Sequence, residues 1–316
     1  MTSRKQPGRR PKEAVDGLLL LNKPSGMTSN RALQVVKRLL NAKKAGHTGS
    51  LDPAATGMLP LCFGEATKVC AYLLNADKTY RVTARLGVAT DTGDADGKEL
   101  STAPIPDMSA DDWDVILQAF VGESMQIPPM YSALKKDGRR LYELARKGET
   151  VEREPRPITI HEIRMLEHAG SRLVFRVACS KGTYIRTLVE DIAGRAGTVA
   201  HTARLHRESV GHFRSEDMLD LTALEALAAD SQAALRERLL PPDVALVAFP
   251  PVSLDVSAGS RFSGGQSVTV AEESRTGLAR VYGAGQQFLG VGELAGNGQL
   301  APRRVFLPPG KNPVDI

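Results

Sequence analysis

The sequence predicts an α+β fold followed by a small all-β module, and three observations carry that prediction. Residues 78–86 alternate apolar and polar side chains with the period of a strand. Residues 29–40 and 185–193 place Leu, Val and Ile at helical spacing instead. Beyond Pro250-Pro251, glycine-rich turns separate short apolar runs with no convincing helix. A chain of 316 residues is also too long for one simple core, which favours two domains.

Composition narrows the classes. The apolar and charged fractions, 42% and 24%, are ordinary for a globular protein. No apolar run reaches membrane-spanning length, and the basic N-terminus precedes no signal-like apolar region, so a cytoplasmic protein without membrane attachment is expected. Cys62, Cys70 and Cys179 are odd in number and set among apolar neighbours, which fits core residues in a reducing compartment better than disulfides or a metal site. The net charge of +5 resides in Arg4, Lys5, Arg9, Arg10 and Lys12. Setting those five aside, the remaining basic residues balance the 36 acids, so any nucleic-acid surface must be a local patch.

In chain order, residues 1–13 read as a basic disordered tail and 17–23 as a buried strand ending in a turn. Thr28 or Ser29 can cap a helix burying Leu33, Val36, Leu39 and Leu40. Lys23 could reach a phosphate, but reads more simply as a surface lysine before a turn. The run Gly46-His-Thr-Gly-Ser-Leu-Asp-Pro-Ala-Ala-Thr-Gly57 has too many glycines and prolines for a helix or regular strand, so it specifies a shaped loop. Asp52 is its one carboxylate, with no other acid within twelve residues on either side. A lone Asp on a rigid loop beside an apolar strand suits a nucleophile or base; it also suits a turn cap, as most Asp-Pro pairs are.

From Glu65 a helix should carry Val69, Leu73 and Leu74 inward. Residues 78–86 put Tyr80, Val82, Ala84 and Leu86 on one strand face, where Tyr80 reads as core or as an aromatic at the strand's mouth. The acidic run at 91–97 lacks the ligand spacing of a calcium loop and the second motif of an aspartic protease, leaving a polar hairpin loop. Ser109 and Asp112 open a helix that buries Trp113, Ile116, Leu117 and Phe120. Residues 128–148 interleave Tyr131 and Tyr142 with Lys135, Lys136, Arg139, Arg140, Arg146 and Lys147. That pattern fits RNA contact, since aromatics stack on bases while cations hold phosphates, and fits a solvated amphipathic helix about as well. Strands at 158–165 and 173–179 lead to a helix capped by Thr183, with Ile185, Leu188, Val189 and Ile192 inward. Arg186 in its first turn has Glu190 as a local partner and Asp52 as a distant one. Residues 200–213 read as a strand pair, helical patterning runs to Leu240, and short strands follow at 267–270, 278–282, 288–293 and 304–307.

The ordered set of motifs resembles the bacterial tRNA pseudouridine-55 synthases, the TruB family, from about Gly17 to the C-terminus. It comprises Leu21-Asn-Lys-Pro-Ser-Gly26, the Asp52 loop, Lys78-Thr-Tyr80, Pro128-Pro-Met-Tyr-Ser-Ala133 and Gly182-Thr-Tyr-Ile-Arg-Thr187. The resemblance implies a mixed, largely antiparallel sheet flanked by helices, the pseudouridine synthase fold, over 14–247. It also implies a PUA-like RNA-binding module of barrel-like β structure over 248–316. The implied activity is isomerisation of one uridine, position 55 in the tRNA T-loop, on a flipped-out nucleotide, with no cofactor or metal. Flipping a stacked uridine costs about a few kcal/mol. The implied partner is the tRNA T-arm, bound by a monomer that also aids tRNA folding.

Carried over by position, Asp52 is the implied nucleophile, or the base in a glycal route; Arg186 pairs with it, and Tyr80 stacks on the uracil. A carboxylate beside a guanidinium is expected to stay ionised even when shielded from water. His47, Tyr184 and Leu205, with Tyr80, are the implied substrate-holding residues. His206 departs from the family pattern, in which a basic residue commonly follows the leucine. A non-catalytic RNA binder would dispense with Asp52, and a carboxylate-dependent glycosidase would want a second acid beside it.

Overall fold

A computed structural model describes residues 11–270 and 274–306. The tail residues Arg4, Lys5, Arg9 and Arg10, and Leu307 of the last expected strand, lie outside the described residues. Strand β1 (Gly17–Lys23) is an apolar run, as suits a strand covered on both faces. Thr28 caps α1 (Ser29–Leu39) by accepting from the Arg31 amide at 3.1 Å. Strands β2 (Ala45–His47) and β3 (Thr56–Phe63) flank the Asp52 loop. A 3-10 turn that buries Val69 leads into α2 (Cys70–Leu74), which buries Leu73. Leu74, expected inside, is 45% exposed, because so short a helix meets the core along a single edge.

β4 (Lys78–Leu86) buries Tyr80, Val82, Ala84 and Leu86 as its alternation predicts. β5 (Val88–Thr90) and β6 (Glu99–Thr102) form a hairpin around the polar loop. Ser109 and Asp112 make a capping box on α3 (Ala110–Gln118), with Trp113 and Leu117 fully buried. β7 (Gly122–Gln126) is followed by a two-residue-per-strand hairpin, β8 (Lys135–Lys136) and β9 (Arg139–Arg140), and then α4 (Leu141–Ala145). The segment therefore carries a short hairpin over 135–140, and the helical alternative survives for five residues only.

β10 (Arg156–Ala169), β11 (Arg172–Cys179), α5 (Ile185–Arg195) and β12 (Ala200–Val210) complete the centre. The expected strand pair at 200–213 is one long strand with irregularities between Thr202 and Arg204 and between Arg207 and Ser209. Bulges of this kind break the alternation of side chains, and the sequence then reads like two strands with a turn. β13 (Leu219–Asp220), α6 (Leu221–Asp230) and α7 (Gln232–Arg236) follow.

The large sheet runs β13-β1-β3-β12-β4-β11-β10-β7, with β2 added to β3. The β1·β13 and β3·β12 pairs are parallel and the others antiparallel, giving the mixed, largely antiparallel sheet expected. Trp113, Phe175 and Leu188 share one core; Leu33, Leu61 and Leu224 share another. The parallel β3·β12 contact at the middle of the sheet brings Gly57, at the end of the Asp52 loop, against Arg207.

The last module is a five-stranded sheet ordered β14-β16-β17-β18-β15. Its strands are β14 (Pro251–Ser253), β15 (Val268–Thr269), β16 (Thr276–Tyr282), β17 (Phe288–Ala295) and β18 (Gln299–Val305). It also holds α8 (Val256–Ser263), against the expectation of no helix. Asp255 caps α8 by accepting from the Ala258 amide at 2.7 Å, and α8 buries Ala258, Gly259 and Phe262. Serines and a glycine are poor helix formers, so tertiary packing rather than propensity makes this helix. Val291 and Phe306 of this module lie in the same apolar cluster as Leu18, Leu20 and Met58 of the large sheet. Among the described residues no helix is long and apolar enough to cross a membrane.

Candidate active site

The loop from Gly46 to Gly57 is held by its own carbonyl groups. Thr48 donates its amide to Pro60 of β3 at 3.1 Å as the chain leaves β2. Ser29 donates to the Leu51 carbonyl at 3.1 Å and accepts from the Leu51 amide at 2.8 Å. Ser25 takes the Ala54 carbonyl at 3.0 Å, and the Gly26 amide takes that of Pro53 at 2.9 Å. Arg207 grips the loop at both ends, donating Nη2 to the Gly49 carbonyl at 3.2 Å and Nε to that of Met58 at 2.6 Å. At Gly57 the backbone turns with φ +100, and an added Cβ would meet Arg207 backbone at 2.3 Å. Only glycine fits there.

Lys23 corrects its surface assignment. It has 0% exposure, and its ammonium donates to the carbonyls of Pro24, Met27 and Pro53 at 2.8–3.1 Å. Burial lowers its pKa to about 8, while Asp52 pulls it back up. Three carbonyls from two loops satisfy its three donors, which is why a lysine is tolerated inside.

This frame presents the Asp52 carboxylate to Arg186. Nε of Arg186 lies 2.9 Å from Oδ2 and Nη2 lies 3.4 Å from Oδ1. The same guanidinium donates to the carbonyls of Thr92 and Tyr131, each at 2.7 Å, and approaches Asp94 Oδ2 at 3.9 Å. The Arg186 side chain is 6% exposed and that of Asp52 is 39% exposed, so the acid faces an opening while the arginine lies behind it. Glu190, the local alternative, is not its ion-pair partner; the distant acid is. Burial raises the Asp52 pKa above its ordinary value, with Arg186 opposing and Asp94 adding to the rise. The arginine thus offsets burial without cancelling it, and the carboxyl titrates higher than a guanidinium neighbour alone would suggest.

Asp52, Arg186 and Leu205 line one pocket, together with Ala54, Ala55, Asp94 and residues 202–204. Tyr80 is 8% exposed and packs in one apolar cluster with Leu51, Ala55 and Leu205. Its phenol pKa is raised by burial, and the nearby Arg207 charge opposes that rise. Tyr184, the residue before α5, is half-buried, its phenol beside Ser132 and within the field of Arg186 and Asp52. His47 stands at the end of β2, where burial and then Arg207 lower its pKa and keep the ring neutral. The Thr183 hydroxyl does not cap α5; it donates to the Ser180 carbonyl at 3.0 Å.

Four residues here escaped the sequence reading: Lys23, Asp94, Gln126 and Arg207. Gln126 is 4% exposed and hydrogen-bonds both backbone groups of Tyr184, accepting from the amide at 2.8 Å and donating to the carbonyl at 3.0 Å. Arg207, 1% exposed, forms no ion pair among the described residues.

The sheet, its order and the Asp-bearing loop define a pseudouridine synthase fold. A solved chain from the crystal structure of a Cbf5-Nop10-Gar1 complex is similar to it with a TM-score of 0.72 and 26% identity, over 92% of this chain and 85% of that one. The model for the TruB family pseudouridylate synthase N-terminal domain matches residues 37–185, and two TruB C-terminal models match 186–247 and 250–306. The tRNA pseudouridine synthase B of Dechloromonas aromatica is 52% identical over 92% of this chain and 95% of its own length. That of Nitrosococcus oceani is 49% identical over the same shares. The chain belongs to the TruB family of pseudouridylate synthases.

Proposed function

We propose that this chain isomerises uridine to pseudouridine in tRNA, at position 55 of the T-loop, with Asp52 as the residue that attacks the nucleoside. The observation that carries the reading is the Asp52 carboxylate, open on one side and held on the other by the Arg186 fork at 2.9 Å and 3.4 Å. In the reaction the N1–C1′ bond breaks, the uracil turns, C5 bonds to C1′, and the C5 proton is lost while N1 gains one. The ring needs a mobile but enclosed position during that turn. Asp52 serves as nucleophile at C1′, or as the base that takes a sugar proton in a glycal route. A uridine stacked in a loop reaches it only after flipping, at a cost of about a few kcal/mol. Tyr80 and Leu205, in one apolar cluster with Leu51 and Ala55, would form the apolar wall for the ring, and Tyr184 and His47 would hold the substrate as the family resemblance implies.

The TruB matches support an RNA substrate. The exposed cations of β8 and β9, with Arg140 and Arg146 over the Tyr142 ring at 5.9 Å and 5.4 Å, supply a phosphate-facing surface beside the site. In this reading the catalytic domain spans 14–247, the PUA-like module spans 248–316, and a cytoplasmic monomer binds the T-arm. The basic surface also supports a tRNA-folding role independent of Asp52.

The test is tritium release from uracil C5-labelled tRNA. Wild type releases it and Asp52→Asn does not, while a transcript with cytidine at position 55 releases none from that position. Asp52→Asn keeps tRNA folding activity. Release by Asp52→Asn at the parental rate ends the assignment.

A further inference from the structure

We propose that Gln126 is a positioning residue for the reaction: by fastening the backbone of Tyr184 it fixes the Arg186 guanidinium on Asp52. The inference rests on the reading of Asp52 and Arg186 given above and adds a residue to it.

β7 is the edge strand of the large sheet, and Gln126 is its one buried residue. An edge strand anchored only by packing would bury an apolar side chain there. An amide is instead buried, and both of its ends are used on a single residue, Tyr184. Tyr184 precedes α5 in an extended conformation, φ -93 and ψ 108, with no side-chain cap of its own. Its carbonyl also accepts the first helical bond, from Leu188 at 3.1 Å. Gln126 therefore sets where α5 begins, and Arg186 lies two residues further on.

The same glutamine acts on Arg186 from a second direction. Five residues beyond Gln126 the chain reaches Tyr131, whose carbonyl takes Nη2 of Arg186 at 2.7 Å. One side chain thus ties together the element that carries the guanidinium and the segment that supplies one of its acceptors. The remaining acceptors, Thr92 and Asp52, belong to other loops. Losing the Gln126 bonds frees the helix start and the 127–131 segment to move apart, and the fork on Asp52 turns with them. A misplacement of about 1 Å at a reacting group costs on the order of a hundredfold in rate.

The experiment uses the full chain and a tRNA transcript, and measures kcat, KM and Tm for Gln126→Met, which keeps volume and loses both hydrogen bonds. The expected result is a kcat lower by roughly 10- to 100-fold with KM within about twofold. A double variant with Arg186→Lys should fall no more than about threefold below Arg186→Lys alone, because both changes disable one unit. Parental kcat, a loss confined to KM, or losses that multiply in the double variant overturn the proposal. Gln126→Glu, which keeps the acceptor for the Tyr184 amide, is judged by the same outcomes if Gln126→Met does not fold. Asp52→Asn is assayed in parallel: tritium release by that variant overturns the reading of the site, whereas the Gln126 outcomes bear on the positioning alone.

Discussion

The ammonium of Lys23 donates to the carbonyl of Pro53, one residue past Asp52, at 3.1 Å from a position with no exposure. The acid therefore has a cation beneath its loop as well as one at its side. Asp94, near Arg186, works against both. The carboxyl's proton affinity is set by a balance among burial, two cations and one neighbouring acid, and each can be altered separately.

Removing the two neighbours should move the acid limb of kcat in opposite directions. Asp52 must be ionised to act, so activity falls as pH drops through its raised pKa. Asp94→Asn removes a charge that raises that pKa, and the limb shifts to lower pH. Lys23→Met removes one that lowers it, and the limb shifts to higher pH. Single-turnover rates across the acid range decide; parallel shifts, or none, contradict the balance.

Lys23 also makes stability depend on pH above neutrality. Its folded pKa of about 8 lies below the ordinary 10.5, so between those values the unfolded chain binds more protons than the folded one. Its contribution is fully present above 10.5 and is lost as pH falls through about 8. Relative to Lys23→Met, wild type should gain stability from pH 7 to pH 10, with a ceiling on the order of 3 kcal/mol. Urea unfolding of both proteins at the two pH values measures it, and a gap that narrows with rising pH refutes it.

Gly57→Ala should unfold the loop's C-terminal anchor. The new methyl would lie 2.3 Å from the Arg207 carbonyl oxygen and 2.7 Å from its nitrogen, at a φ that alanine avoids. Neither backbone can retreat within a paired sheet, so a loss of about 3 kcal/mol or more is expected. Thermal melts read it directly. Gly182→Ala also has positive φ but open space around it, and should cost less.

Neutralising Lys135, Lys136, Arg139 and Arg140 to glutamine should weaken tRNA binding without altering bound-state chemistry. All four are exposed on the β8–β9 hairpin. If each meets one phosphate, the slope of log affinity against log salt falls by roughly 3 to 4. Filter binding at several salt concentrations gives the slope, and kcat at saturating tRNA should remain within about twofold. An unchanged slope would place the RNA elsewhere.

Much of this was legible in the chain because local patterns there agree with the fold. The alternation from Lys78 to Leu86 fixed both the strand and the face of Tyr80, and the crowding of glycines and proline marked the Asp52 loop. Where reading failed, long-range partners decided. Lys23 is buried only because carbonyls from residues up to thirty positions away meet its ammonium, and nothing local announces them. Gln126 answers to a backbone 58 residues distant. Arg207 finds its acceptors in the carbonyls of Met58 and Gly49, 149 and 158 positions earlier, and Asp94 meets Arg186 from a loop far away in the chain. α8 was missed for the converse reason: its sequence argues against a helix, and the sheet packed on it overrides that.

Val291 and Phe306 bury themselves with Leu18, Leu20 and Met58, so the two sheets meet across one continuous dry seam. Met58 begins directly after the Asp52 loop. The C-terminal module is thereby keyed through buried side chains to the residue at which the Asp52 loop re-enters the large sheet, so a shift in one is felt at the other.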